Sequence, residues 1–374
     1  MARFEPFVME RMMSKYENYV EFNLSESGVH PLTLRELMAL AGRGVDELGE
    51  VLINYPQANG TPELRQTIAN LYKGAGVDNV LVTTGAAEAN YLVIHTLLEP
   101  GDEMALMAPN YQQVWGVATN RGVKISTFHL DENKGWALDV ESLRRAITPR
   151  TKLIAVCNPN NPTGRIMPAA EMDAVVAEAA RVGAWLLADE VYGGAERETD
   201  VQTPSFYGRY DKVIAVGSMS KAYGLPGLRT GWAVGPADTL DEMWARHEYI
   251  TITTTMLSDK LTALALSPAV RPKVLARTRK FIRDGYPVLT KWAAEHGNMF
   301  SVFPSQAAAI AFVRYNLPVN STELTERLRK EKSVLIVPGD HFGLDHHLRI
   351  SFGLPHDYLR GGLDRIHQLM NEIA

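Results

Sequence analysis

The chain has 374 residues, 46% of them hydrophobic and 22% charged, which is ordinary globular composition and length enough for one large and one small domain. Its 43 acidic and 38 basic side chains leave a net charge of −5, which gives no electrostatic reason for a nucleic-acid or anionic-membrane partner. The single Cys157 excludes an intrachain disulfide and fits a reducing compartment.

No stretch approaches the roughly 18 uncharged apolar residues of a membrane span. The opening Met1-Ala2-Arg3-Phe4-Glu5-Pro6 lacks the apolar core of a secretory signal. A soluble, cytoplasmic protein is expected.

Phe7, Val8, Met12, Tyr16 and Val20 lie near helical spacing and predict a short helix or arm over 7–20. Ser25-Glu26-Ser27-Gly28-Val29-His30-Pro31 follows as a polar loop stopped by proline. Thr61 as cap and Pro62 at the first helical position start a helix over 62–74. The apolar run 80–84 reads as a strand, and it turns through Gly85-Ala86-Ala87 into another helix. Small residues at such a turn leave backbone N–H groups free for an anion.

Strands are then expected at 103–107, 124–129, 153–157, 184–188 and 213–216, with helices at 112–121, 139–147 and 168–182 between them. This alternation predicts an α/β fold with a mostly parallel, doubly wound sheet. From about 238 the pattern changes. Helices run to about 296, with Lys260 and Arg277 read as solvated. Short strands at 300–303, 307–313, 334–338 and 347–352, with helices at 321–331 and 356–373, predict a smaller α/β unit. The division expected is 1–45 for an arm and part of the small domain, 46–275 for the large domain, and 276–374 for the small C-terminal domain.

In doubly wound sheets, ligands bind beyond the C-terminal strand ends. Tyr111, Asn161, Asp189 and Lys221 all follow such ends. Lys221 lies among Ser218, Ser220 and Arg229, the donors a phosphate monoester needs. An amine that can condense with an aldehyde, set inside a phosphate cradle, points to pyridoxal phosphate. Asp189 suits the pyridine nitrogen of that cofactor, because a protonated ring is the better electron sink. Asn161 and Tyr192 are candidates for its ring oxygen, and Tyr111 for a stacking surface. The 85–87 turn completes the cradle. Trp115, Met256 and the loop at 250–258 are expected to shape the side-chain pocket. No metal site is expected.

Taken in order, the motifs resemble the class I/II aminotransferases of the fold-type-I pyridoxal-phosphate enzymes. They are Tyr55 with Gly60 and Leu64-Arg65, Gly85-Ala86-Ala87-Glu88, Asn158 to Gly164, Asp189 with Tyr192, Ser218 to Gly231, and Arg349-Ile350-Ser351-Phe352. The resemblance covers nearly the whole chain. It implies that Lys221 carries the cofactor and moves the substrate α-proton. It implies that the Ala86 and Ala87 amides, next to Gly85, hold the phosphate, and that Tyr55 reaches the cofactor of a partner in a homodimer. Arg349, with Asn161, would grip the substrate α-carboxylate. The implied reaction is amino-group exchange between an amino acid and a 2-oxo acid.

The loop holding Glu26, Gly28 and His30 departs from the common pattern and is closer to capreomycidine synthase-like members. Glu26 would there meet a basic side chain, and His30 would act as acid or base. The alternative reaction is cyclisation, elimination or oxidation of an arginine-like amino acid.

Overall fold

The computed structural model describes residues 4–373, so Met1–Arg3 of the leader reading lie outside the described residues. The chain opens with α1 (Val8–Tyr16), β1 (Phe22–Asn23), α2 (Leu34–Leu40) and α3 (Pro62–Ala69). Helix α3 starts where predicted, with the Thr61 side chain accepting from the Leu64 amide. It ends at Ala69, short of the expected 74, because the chain tightens into turns from Leu71 to Gly74.

The alternating region follows as β2 (Val80–Thr83), α4 (Gly85–Leu97), β3 (Glu103–Ala108), α5 (Gln112–Arg121), β4 (Lys124–Asp131), β5 (Ala137–Leu138), α6 (Val140–Ala146), β6 (Thr151–Cys157), α7 (Ala169–Val182), β7 (Trp185–Asp189), β8 (Val213–Ser218) and β9 (Gly231–Val234). These strands form one eight-stranded sheet, ordered β2-β9-β8-β7-β6-β3-β4-β5. The β8-β7-β6-β3-β4 block is parallel throughout. Strand β9 runs antiparallel to both neighbours, and β5 runs antiparallel to β4.

Burial on both faces explains the continuous apolar strands. Along β6, Leu153 and Ala155 face the layer built with Leu92, Val114 and Met243, while Ile154 and Val156 face the layer built with Leu143 and Val175. Helices therefore cover both sides of the sheet. Every strand end that carries a candidate residue points to one edge.

The remainder comprises α8 (Ala237–His247), α9 (Met256–Leu266), α10 (Arg271–Glu295), β10 (Phe300–Val302), β11 (Ile310–Tyr315), α11 (Ser321–Lys332), β12 (Val334–Leu335), β13 (Val337–Pro338), β14 (His347–Ser351) and α12 (His356–Ile373). A four-stranded antiparallel sheet, β10-β11-β14-β13, packs against α10, α11 and α12. The run 334–338, expected as one strand, is two. Val334–Leu335 pairs in parallel with Phe22–Asn23, and Val337–Pro338 pairs with β14. An apolar run looks the same whichever strand it pairs with, so periodicity could not show the switch. Pro338 sits on an edge strand, where its missing N–H costs no ladder bond.

Arg277, expected on a solvated face, is half-buried. Its guanidinium donates to the His30 and Pro31 carbonyls at 2.8 and 3.2 Å and so ties α10 to the polar loop.

No helix among the described residues is long and apolar enough to cross a membrane.

Candidate active site

A cavity of about 410 Å³ opens at the C-terminal edge of the large sheet and gathers most of the predicted residues. One end is a cradle of backbone and cation. Gly85 opens α4 with φ +79, and a Cβ on it would lie 2.5 Å from an Arg229 guanidinium nitrogen. A Cβ on Gly231 would lie 2.3 Å from the Ala86 amide. Side chains at either glycine would fill the cradle. The Ala86 and Ala87 amides belong to the first turn of α4, where helix N–H groups have no internal partner. Arg229 itself sits at φ +48, in left-handed backbone that β-carbon residues adopt at a cost. Its guanidinium donates to Ser220 Oγ at 3.4 Å and to the Pro226 carbonyl at 3.1 Å. Ser218 Oγ accepts from the Ser220 amide at 3.0 Å, which shapes the turn leading to Lys221.

Lys221 lies beyond β8, and the Gly28 backbone packs on it: a Cβ on Gly28 would lie 3.8 Å from Lys221 Cα. Burial pushes the Lys221 amine below its usual range. Glu26 and Glu10 act against this shift, and Arg349 and Arg229 act with it. Asp189, at the end of β7, is buried and accepts from Asn90 Nδ2 at 3.1 Å and from the Val191 amide at 3.3 Å. Burial raises its carboxyl, and the Asn90 and Val191 donors and the Lys221 charge pull it back. An N–H⁺ group placed against it would add to that pull.

Tyr111 and Tyr192 both line the cavity, and burial holds both phenols protonated well above their ordinary range. The Tyr111 hydroxyl donates to Glu10 on α1, and its ring meets Phe7 edge-on at 5.2 Å.

The other end belongs to Arg349. It is 1% exposed, on β14 between β11 and β13. One nitrogen donates to Asn161 Oδ1 at 3.2 Å and another to the Ser25 carbonyl, while Met9 and Met13 of α1 cover it. Among the described residues, its buried Nε has no hydrogen-bond partner. A buried guanidinium with an unmet donor is suited to a carboxylate.

The structure leaves some predicted residues outside this cavity. His30 is exposed, against Phe281 at 5.9 Å between ring centres. Tyr55 is 78% exposed and does not line this cavity. Met256 does not line the cavity, and Trp115 lines a separate pocket with Phe4, Phe7 and Tyr91.

Other residues enter unforeseen. Asn90 and Gln113 form the support behind Asp189, with Gln113 bonded to the Ala87 carbonyl at 2.6 Å. Asn90 lies one helical turn beyond Ala86, a spacing that could have revealed it. Glu10 had no such signal, because only the tertiary placement of α1 brings it here. Among the described residues, no three His, Cys, Asp or Glu side chains converge to hold a metal ion.

The half-buried Lys221 amine, the anion cradle, the buried Asp189 carboxylate and the buried Arg349 guanidinium fit pyridoxal phosphate and an amino-acid substrate. Fold and site together define an enzyme of the pyridoxal-phosphate aminotransferase type. Residues 27–366 match the family described as aminotransferase class I and II, and the chain belongs to that family.

It is similar to capreomycidine synthase from Streptomyces vinaceus, 31% identical over 352 residues that cover 92% of this chain and 89% of that one. It is also similar to an aspartate aminotransferase from Streptomyces avermitilis, 30% identical over 340 residues that cover 85% and 82%. Among solved structures, a PLP-dependent aminotransferase from Streptococcus suis 89-1591 matches with a TM-score of 0.92 at 32% identity, covering 100% of this chain and 99% of the other. Pyridoxal phosphate is the expected cofactor, and an amino acid and a 2-oxo acid are the expected substrates.

Proposed function

We propose that this cavity exchanges an amino group between an amino acid and a 2-oxo acid, with Lys221 as the catalytic amine. The observation that carries this reading is Lys221 sharing one cavity with Asp189, Arg229 and Arg349. Bound there, pyridoxal phosphate supplies an aldehyde for the amine and a ring that takes up electron density from the substrate Cα.

The protein's part is to bind, orient and move a proton. The α4 amides of Ala86 and Ala87, with Ser218, Ser220 and Arg229, hold the phosphate. Asp189, backed by Asn90, keeps a proton on the ring nitrogen. Asn161 and Tyr192 would hold the ring oxygen, and Tyr111 would supply a stacking face for the ring. Arg349 and Asn161 clamp the α-carboxylate and fix the Cα–H direction. Lys221 Nζ, its proton affinity lowered by burial, then takes the proton from Cα.

The protein acts as a homodimer in this reading, with the exposed Tyr55 reaching the partner's phosphate. The β1–β12 pairing supports placing the arm (1–45) with the small domain (276–374), around the large domain (46–275). The buried free thiol of Cys157 supports a cytoplasmic compartment.

Replacing Lys221 by Ala is expected to abolish the visible absorbance of the cofactor-linked protein and to reduce turnover by about 10⁴-fold or more. Survival of the band would remove Lys221 from this role.

The similarity to capreomycidine synthase favours a second reading: cyclisation, elimination or oxidation of an arginine-like amino acid. Product analysis separates the two. New amino acid formed from an added 2-oxo acid supports exchange. Substrate loss with ammonia release or oxygen uptake, and no such product, supports the second.

A further inference from the structure

Three cations and three carboxylates line the cavity, and assigning them in turn leaves a remainder. Lys221 meets the cofactor aldehyde, Arg229 its phosphate and Arg349 the α-carboxylate. Asp189 meets the ring nitrogen. Glu10 and Glu26 are left without a task, and both line the same cavity.

Glu10 is held on α1 by the Tyr111 hydroxyl, and Glu26 projects from the loop beside Ser27 and Gly28. Among the described residues, neither has a Lys, Arg or His nitrogen within 4.0 Å. Glu17, at the end of α1, also has none. Burial, and then the charges of Glu26 and Glu10, push the Glu17 carboxyl up.

Arg349, a buried cation that lines the same cavity, is the group at this end suited to a ligand carboxylate. A ligand anchored there by its α-carboxylate would share the cavity with these acids. The carboxylates do not converge with a third ligand as a metal site would, so an extended organic cation suits them better than a metal ion.

We propose that Glu10 and Glu26 select an amino acid with a cationic side chain, an ammonium or guanidinium group at the end of a flexible chain. The inference rests on reading the cavity as a pyridoxal-phosphate amino-acid site, and it holds whether exchange or the second reading describes the outcome. It sets the chain apart from its relative named for aspartate. A second carboxylate on the substrate would face like charges with no cation to spare.

The test uses the holoenzyme and follows its visible absorbance on mixing with L-lysine, L-arginine, L-norleucine, L-aspartate and L-glutamate. Norleucine has the lysine chain without the charge. Lysine or arginine is expected to react with a second-order rate constant at least about tenfold above norleucine, and the acidic pair well below norleucine. Raising the salt concentration should narrow the cation preference. In the Glu10→Gln and Glu26→Gln proteins, the ratio of cationic to neutral substrate should fall severalfold, and in the double variant it should approach one.

A faster reaction with aspartate or glutamate, or a wild-type ratio of lysine and arginine to norleucine near one, overturns the selection while leaving the cofactor site intact. A preference that survives both substitutions removes Glu10 and Glu26 from it. Absence of any spectral response to every amino acid overturns the underlying site reading instead. The wild-type comparison stands even if a variant fails to fold.

Discussion

Asp189 and Glu190 are consecutive carboxylates with different surroundings. Asp189 points into the cavity and has side-chain and backbone donors. Glu190 turns away and accepts from the Phe206 amide at 2.7 Å, and burial pushes its carboxyl from 4.5 to about 7. A carboxyl raised in the folded protein stabilises it fully below the unfolded value, and that contribution is lost as pH rises through the folded value. Between pH 4.5 and about 7, this one site is therefore expected to lose roughly 3 kcal/mol of folding stability. Glu190→Gln should flatten that part of the stability profile, measured by denaturant unfolding at pH 5 and pH 8. Equal slopes for variant and wild type would show that Glu190 does not titrate there.

The turn from Asn158 to Gly164 holds Asn161 against Arg349, and the small unit holds that turn in place. Gln306 and Ala307 donate their amides to the Gly164 carbonyl at 2.9 and 2.8 Å. Gly164 has φ +68, and a Cβ would lie 1.9 Å from Ser305 Oγ and 2.6 Å from the Ala307 carbonyl. Gly164→Ala should cost about 2–4 kcal/mol and raise the KM for the amino acid more than it lowers kcat. Unaltered melting would refute this packing.

Elements like this turn were legible in the sequence because their signals are local. Asn, Pro and Gly announce a turn, and short apolar runs between helices announce buried parallel strands. Strand β9 was not legible as antiparallel, since Gly231–Val234 carries no sign of direction and the alternation around it implied a parallel run. Lys221, Asp189, Asn161 and Arg349 could be named from strand ends and motifs. Glu10, Gln113 and the Ser25 carbonyl could not, because tertiary packing alone brings them to the cavity. His30 was misplaced for the converse reason. Its neighbours in sequence enter the site, while the Gly353 carbonyl holds its own backbone amide at 2.7 Å away from it.

At the scale of the molecule, two loops present apolar side chains outward beside one another. Ile53 and Tyr55 are 88% and 78% exposed, and Tyr249 is 94% exposed. Buried His247 joins the two loops by contacting Glu88 at 2.9 Å and the Ala58 carbonyl at 3.1 Å. Exposed apolar side chains set side by side in this way suit an association surface. If it is the homodimer face, Ile53→Asp with Tyr249→Asp should give a monomer in sedimentation, with cofactor affinity lowered at least about tenfold. A variant that still sediments as a dimer would place the interface elsewhere.

The strand switch at Leu335 has a mechanical consequence. Leu24 donates to the Leu335 carbonyl at 2.8 Å and accepts from the Ser351 amide at 2.9 Å, while Arg349 holds the next carbonyl, that of Ser25. The Glu26 loop and Arg349 are thus bolted to one plate. Any displacement of the small sheet carries both toward Lys221, or both away. On the proposed roles, an amine without a carboxylate would lose the Arg349 anchor and, with it, the plate that positions the acidic loop.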